Sequence, residues 1–254
     1  MTYKLGRLPR DHARFAPTFE NYRPGGLPVV AATADVDRAT EVTSWPMYDN
    51  DTLGDCTVAG IAHVIGAMAV YGGHPLPLFD NTEIVRVYSA VSGYNPQTGA
   101  GDNGANMQTV LDYIKANGIT DTAGKVHKIV AYAALRNPKD TNLLAEVLNT
   151  FGAAYVGINC PQSAQSQFGK LWTYRRFSAI EGGHAIGFHR REPLSASGPI
   201  VYSTWGALQP ATTGFHEHYT EEAWAVVSAD WLEANGESPE GLNVTQLMSD
   251  MTLV

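Results

Sequence analysis

The residues of this chain best suited to nucleophilic chemistry are its two cysteines, Cys56 and Cys160. A cysteine attacks as its thiolate, and it needs a histidine to exchange protons and hydrogen-bond donors for the developing oxyanion. Cys56 follows a Gly-Asp turn and begins a predicted helix, whose N-terminus stabilises a thiolate by up to about 1 kcal/mol. Cys160 precedes a proline at the end of a predicted strand and lacks such surroundings. We therefore interpret Cys56 as the candidate nucleophile and Cys160 as a structural thiol.

The candidate partners of the Cys56 thiol are His184 and Asn50. His184 lies in a predicted strand and follows two glycines, which leave space beside its ring. Asn50 lies six residues before Cys56, in a polar, turn-rich loop from which its side-chain amide can point back towards the thiol. Such an amide, together with the backbone N–H of Cys56, predicts a binding site for an oxyanion.

Three further histidines are considered as site residues and set aside. His63 lies seven residues after Cys56 on nearly the same helical face, but two turns away, or about 10 Å, so we expect a core histidine. His216 and His218 would share one face of a strand, as two zinc ligands can. No third ligand lies near them in the sequence, so we expect a solvated loop or edge there. We predict neither a metal nor a cofactor for this protein.

Composition excludes several classes of function. The chain has 254 residues, with 17 Lys and Arg against 25 Asp and Glu, which gives a net charge of −8. This balance argues against a protein that binds the phosphate backbone of nucleic acids. Apolar residues make up 44% of the chain, enough for a core, and the longest apolar stretch is too short to span a bilayer. We expect a soluble protein without a signal peptide and with no membrane or nucleic-acid partner.

The pattern of apolar residues predicts helices first and strands second. Four prolines and a Gly-Gly pair exclude a long helix from residues 1–40, where 27–32 is predicted as a short edge strand. Helices are predicted at 56–70, 82–91 with Thr82 as N-cap, 107–117 and 141–151. Strands are predicted at 153–158, 184–189, 200–205 and 222–227, followed by a short helix at 229–234. This order indicates an α+β fold.

Several short motifs resemble those of the papain-like cysteine peptidases. Residues 50–59 resemble the segment around that family's nucleophile, although the family has Gln where this chain has Asn50. Residues 102–105, with the helix that follows, resemble its Asn-Gly-Gly loop, and 154–158 and 167–172 resemble later segments. Residues 183–186 match its histidine motif, and 203–206 match its Asn-Ser-Trp-Gly motif in position. The resemblance runs from about residue 42 to 224 in the family's order, and is closest to divergent members from bacteria and their phages.

The resemblance implies a two-lobed fold with a cleft between the lobes. We predict an arm at 1–40, a helical lobe at 41–152, a β lobe at 153–236 and a tail at 237–254, with 41–236 as one papain-like unit. The site would act on a peptide or protein substrate. By this resemblance the residues that take part are Cys56 as nucleophile, His184 as its proton-exchange partner, Asn50 at the oxyanion, Ser203, together with Thr204, orienting His184, Gly104 and Ala185 along the substrate cleft, and Trp205 shielding the histidine from water.

Three residues depart from what efficient catalysis needs, and other functions stay open. Asn50 has a shorter arm than Gln, Ser203 holds a histidine less firmly than Asn does, and Asp55 would raise the pKa of the neighbouring thiol. An arm of about 40 residues is also short for an inhibitory pro-region. A papain-fold binding or structural protein is therefore a second hypothesis, for example a phage virion component with an assembly partner, so the protein would be cytoplasmic or virion-associated. A cell-wall amidase or transglutaminase-like enzyme is a third, but 128 positions between Cys56 and His184 fit the papain layout better.

Overall fold

The computed structural model describes residues 2–22, 29–231 and 249. Its helices are α1 Cys56–Tyr71, α2 Asn81–Ser92, α3 Met107–Ala116, α4 Thr141–Phe151, α5 Gln162–Ser166 and α6 Thr213–Tyr219. Its strands are β1 Arg7–Leu8, β2 Val36–Asp37, β3 Ala105–Asn106, β4 Ile119–Thr120, β5 Val126–His127, β6 Ile129–Ala134, β7 Ala154–Pro161, β8 Ile180–Arg191, β9 Ile200–Thr204, β10 Ala207–Ala211 and β11 Thr220–Ser228. Short 3-10 helices lie at Phe19–Tyr22 and Ala229–Trp231. The predicted tail at 237–254 lies outside the described residues, apart from Ser249.

Helix α1 is the central helix of the fold. All of its residues from Cys56 to Ala69 are buried, as expected for a helix that is apolar on every side. Its Gly60 lies against the main sheet, because a Cβ at this position would be 3.1 Å from Tyr155 of β7 and 3.2 Å from the Ala185 carbonyl oxygen of β8. The Tyr155 hydroxyl also donates a hydrogen bond of 2.6 Å to the Thr57 carbonyl oxygen. These contacts hold the start of α1 close to the middle of β8.

The main sheet is antiparallel and carries the second half of the site. Its strands run in the order β10, β9, β8, β7, β11 and β6, and β2 pairs with the end of β8. In the β7–β8 pair, Ile158 is opposite His184 and Gly157 is opposite Ala185. The α+β class predicted from the sequence is confirmed, with α1 packed on β8.

Helices α1 to α4 follow the predictions closely, and only the start of α2 differs. Predicted segments 56–70, 107–117 and 141–151 correspond to α1, α3 and α4. Helix α2 begins one residue earlier than predicted, and its N-cap is Asp80 rather than Thr82. The Asp80 carboxylate accepts a hydrogen bond of 2.8 Å from the Glu83 backbone N–H, which satisfies a free donor of the first turn.

The strands and the histidine pair show larger differences. Strands β1 to β6 and β10 and helices α5 and α6 were not predicted, and residues 29–32, the described part of the predicted edge strand, form no strand. The prediction of a solvated loop or edge is wrong for His216, which is buried in α6, where hydrogen bonds join it to the Tyr202 hydroxyl and the Pro138 carbonyl. His218 instead stacks on Tyr174.

The contact between α1 and β8 can be tested at Gly60. Gly60→Ala would press a methyl group against Tyr155 and the Ala185 carbonyl, so we expect the free energy of unfolding to fall by about 1–3 kcal/mol, although alanine favours helix. Gly66→Ala in the same helix meets only the end of the Leu76 side chain and serves as the control that keeps or gains stability. Urea unfolding followed by circular dichroism measures both variants, and equal stability would contradict this account of the contact.

Candidate active site

Cys56 is the first residue of α1, and its thiol is fully buried. Burial raises the pKa of this thiol to about 11, and the nearby Asp55 carboxylate raises it further, in the predicted direction. The backbone amides of Ala185 and Gly6 face the sulfur and act in the opposite direction, as does the Arg7 guanidinium. The helix N-terminus therefore does not suffice to ionise the thiol, because loss of water outweighs its favourable dipole.

His184 is fully buried in β8, and the residue that follows it, Ala185, directs its backbone amide at the Cys56 sulfur. Nε2 of His184 shares a hydrogen bond of 2.6 Å with the Thr204 hydroxyl. Its buried Nδ1 has no hydrogen-bond partner among the described residues. Burial lowers the pKa of His184 to about 3, with a smaller contribution from the Arg7 guanidinium. The imidazole is therefore neutral at pH 7, and one ring nitrogen is held while the other is open.

Trp205 packs against the imidazole of His184. The two rings are stacked, with centroids 4.5 Å apart and planes 21° apart. Trp205 and Gly206 form the two-residue turn between β9 and β10, and both have positive φ, at 45° and 73°. Positive φ at both turn positions matches a type I′ hairpin, which is usually built from Asn and Gly. A tryptophan there is conformationally strained, and such strain is typical of functional sites.

Ser203 does not contact His184, and the prediction that it orients this ring is wrong. Its hydroxyl lies 2.8 Å from Nε2 of His189, another buried histidine. Ser203 and Thr204 are consecutive in β9, and consecutive side chains of a strand point to opposite faces. Only one of the two can therefore reach His184, and the register of the sheet selects Thr204.

Asn50 is buried near the start of α1, but its amide is not directed at the thiol. Its Nδ2 donates a hydrogen bond of 3.0 Å to the Asp55 carboxyl and a longer one of 3.5 Å to the Leu53 carbonyl. Burial raises the pKa of Asp55 to about 8, so this carboxyl is largely protonated at neutral pH. In this structure the Asn50 amide thus holds Asp55.

The N-terminal arm crosses the candidate site, which the sequence did not predict. Strand β1 pairs in parallel with β3, and the Gly6 carbonyl accepts a hydrogen bond of 2.8 Å from the Ala105 N–H. A Cβ at Gly6 would overlap the Gly54 carbonyl, and one at Gly104 would overlap the Gly6 carbonyl. Gly104, predicted to border a substrate cleft, therefore borders the chain's own arm.

The start of the arm is held by aromatic stacking and a side-chain amide. Tyr3 stacks on Trp205, with ring centroids 4.7 Å apart and planes 13° apart, so Trp205 lies between Tyr3 and His184. The Gln165 amide accepts a hydrogen bond from the Tyr3 N–H and donates one to the Tyr3 carbonyl, at 2.9 and 2.8 Å. The space beside Gly183, predicted to lie open, is occupied by the Arg7 carbonyl. Residues 3–8, here called the closing arm, thus cover the thiol and the imidazole.

No group of three His, Cys, Asp or Glu side chains in the described part of the chain is arranged to hold a metal ion. None of its described helices has both the length and the apolar character needed to cross a membrane.

Comparison with known proteins identifies the fold. No family profile matches the chain, and no curated protein matches its sequence. Solved structures do match: xylellain, a cysteine protease from Xylella fastidiosa, has a TM-score of 0.61 at 13% identity, covering 89% of this chain and 96% of xylellain. Digestive procathepsin L 3 of Tenebrio molitor has a TM-score of 0.58 at 14% identity, covering 89% and 75%. The bromelain protease of Ananas comosus has a TM-score of 0.55 at 13% identity, covering 76% and 98%.

These similar structures are cysteine proteases, and at such low identity the similarity establishes the fold. The predicted resemblance is thereby confirmed at that level: the chain has the papain-like fold.

Proposed function

We propose that the protein is a cysteine hydrolase that cleaves peptide or isopeptide bonds with Cys56 and His184. The observation that carries the proposal is the environment of His184, whose Nε2 is held by Thr204 while its buried Nδ1 is left open. The thiol at the start of α1 lies against the residue that follows this histidine. The papain-like fold of solved cysteine proteases supports the same reaction class.

In the proposed mechanism the thiol and imidazole act as a pair. Nε2–H donates to the Thr204 hydroxyl, so the lone pair on Nδ1 accepts the Cys56 proton and a thiolate–imidazolium pair forms. The thiolate sulfur then bonds to the substrate carbonyl carbon. The carbonyl π electrons move to oxygen, which the Cys56 backbone N–H stabilises. The C–N bond then breaks, His184 returns the proton to the leaving amine, and water hydrolyses the thioester with His184 as general base.

The closing arm would have to leave before a substrate could bind. The group that the arm presents to the sulfur is the Gly6 backbone N–H, rather than a carbonyl carbon, so the bound arm is not positioned for attack. Burial raises the pKa of Cys56 and lowers that of His184, and we expect the arm to contribute to this burial by excluding water. Departure of the arm would relieve both shifts and allow the thiolate–imidazolium pair to form.

A second function is supported by the same closed state. With a neutral thiol, a neutral imidazole and a filled cleft, the fold could serve as a binding or structural module without turnover. The two functions differ in what happens when the arm is displaced. An enzyme gains a reactive thiol, whereas a structural module gains only an exposed one.

The reactivity of Cys56 after arm displacement tests the proposed function. Gly6→Ala in the full chain places a methyl group on the Gly54 carbonyl, and Gly214→Ala, whose Cβ meets nothing within 4 Å, is the matched control. We expect a thiol-reactive epoxide to label Cys56 in Gly6→Ala at least about tenfold faster than in the parent at pH 7, because each unit of thiol pKa changes the thiolate fraction about tenfold. Mass spectrometry of the labelled peptide separates Cys56 from Cys160.

The pH dependence of the labelling rate shows whether the pKa of Cys56 falls when the arm is displaced. The parent rate should keep rising towards pH 11, because the buried thiol has a pKa of about 11, whereas the rate of Gly6→Ala should level off at a lower pH. If Cys56 of Gly6→Ala reacts no faster than free cysteine at neutral pH, the hydrolase proposal fails and the binding or structural role is favoured.

Substitutions at Thr204 and at its neighbour Ser203 test which of the two residues orients His184. In the Gly6→Ala background, Thr204→Val removes the hydroxyl that contacts His184 and should lower kcat/KM for a peptide substrate by about 10–100-fold, because a misoriented base loses part of its catalytic contribution. Ser203→Ala should instead retain kcat/KM and lower the free energy of unfolding by about 1–3 kcal/mol, since it leaves buried His189 without its partner. The reverse pattern of kinetic and unfolding data would restore Ser203 as the orienting residue.

A further inference from the structure

The side chain of Arg7 lies in a buried pocket beside the thiol and imidazole. This side chain is 1% exposed, and its Nη1 donates to the Glu222 carboxylate at 2.8 Å. Nη2 pairs with Glu221 and donates to Asn159 at 2.9 Å, and Nε lies 3.4 Å from the Ile158 carbonyl. Strands β7 and β11 provide all four of these groups, so the pocket surrounds the guanidinium with acceptors.

The pocket has the shape of a long side chain. A Cβ at Gly157 would lie 2.7 Å from each of three atoms: Arg7 Cδ, Glu222 Cγ and Met107 Sδ. Gly157 therefore keeps open the channel that holds the aliphatic part of Arg7. Glu222 is fixed at the end of this channel, because its second oxygen accepts a hydrogen bond of 2.8 Å from the Trp224 indole.

The pocket walls are acidic, and the positive charges come from the N-terminal segment. Glu222 is almost fully buried, and Glu221 is partly exposed beside it. The cations that act on Glu222 are Arg7 and Arg10, the latter 4.8 Å above the Trp224 ring. Burial raises the pKa of Glu222, and the two arginines oppose this shift. Without these arginines a buried carboxylate would lack its partner, which is strongly unfavourable.

The pocket is also next to the reacting groups. Gly6, the residue before Arg7, presents its N–H to the Cys56 sulfur. The Arg7 carbonyl lies against Gly183, and its guanidinium lowers the pKa of His184. Any peptide that follows the path of the closing arm would therefore place one side chain in this pocket.

We propose that the pocket of Gly157, Asn159, Glu221 and Glu222 selects an arginine side chain of the substrate, and that Arg7 occupies it in the closed chain. This inference rests on the proposed hydrolase function. The pocket arranges two carboxylates and an amide oxygen around a planar group. These acceptors match the several N–H donors of a guanidinium better than they match the compact ammonium group of lysine. The substrate class is thus a peptide that contains arginine.

The test measures binding without requiring turnover. The full-length chain carrying Cys56→Ala, Gly6→Ala and Arg7→Ala is titrated into a fluorescent hexapeptide with the sequence of residues 3–8, and into the same peptide with citrulline replacing arginine. Citrulline keeps the shape and removes the charge. We expect the arginine peptide to bind at least about tenfold more tightly by fluorescence anisotropy, because loss of one partner from a buried charge pair weakens binding strongly.

Substitutions in the pocket test whether its residues cause the preference for the arginine peptide. Adding Glu222→Gln should remove most of the preference for arginine over citrulline, whereas Glu217→Gln, an exposed residue of α6, should keep it. Glu221→Gln and Asn159→Ala provide the same test if Glu222→Gln does not fold, as judged by circular dichroism. Equal affinity for the two peptides, or a preference unaffected by these pocket substitutions, overturns the proposal.

Turnover separates this inference from the proposed function. With Cys56 restored, a chain that binds the arginine peptide selectively but cleaves no arginine substrate would retain the pocket and refute the hydrolase. A chain that cleaves arginine and citrulline substrates equally well would retain the hydrolase and refute the pocket.

Discussion

Helix α1 meets β8 at Gly60, where the helix backbone approaches the Ala185 carbonyl and the Tyr155 ring. No side chain larger than hydrogen fits this contact without displacement. The contact sets the distance between the first turn of α1 and the middle of β8, and with it the distance between the thiol and the imidazole. The other features of the site depend on this close contact between α1 and β8. Thr204 and Trp205 hold the His184 imidazole in place, and the closing arm covers the imidazole and the Cys56 thiol.

Desolvation decides the charge state of the closed site. A helix N-terminus and two backbone amides favour a thiolate at Cys56, yet burial raises its pKa to about 11. His184 responds in the opposite sense, with a pKa lowered to about 3, so each group disfavours its charged form. In the closed structure the thiol and the imidazole are therefore both neutral at pH 7. In the proposed hydrolase, departure of the closing arm would readmit water and relieve both pKa shifts.

The sequence predicted the parts of the site that depend on local pattern. The start of α1 at Cys56 and the strand of His184 followed from apolar periodicity and from short motifs, because these signals lie within one element. Ser203 and Thr204 could not be distinguished this way, since the choice depends on which face of β9 meets β8, and a shift of one residue reverses it. The docking of the arm depends on contacts between residues far apart in the sequence, such as Gly6 with Ala105 and Arg7 with Glu222, and it leaves no periodic signal. Strand β10 contains Pro210, which argues against a strand in sequence analysis.

One buried cation links closure of the site to its proposed selectivity. If Arg7 holds the arm through the groups that would bind substrate arginine, then substrate and arm compete for the same carboxylates. The arm has the advantage of being tethered, since a short linker gives an effective concentration of about millimolar. A peptide substrate at lower concentration would displace it only slowly or incompletely. Removal or displacement of the arm by some other agent is therefore the more efficient way to open the site, and arginine selectivity would emerge only after that event.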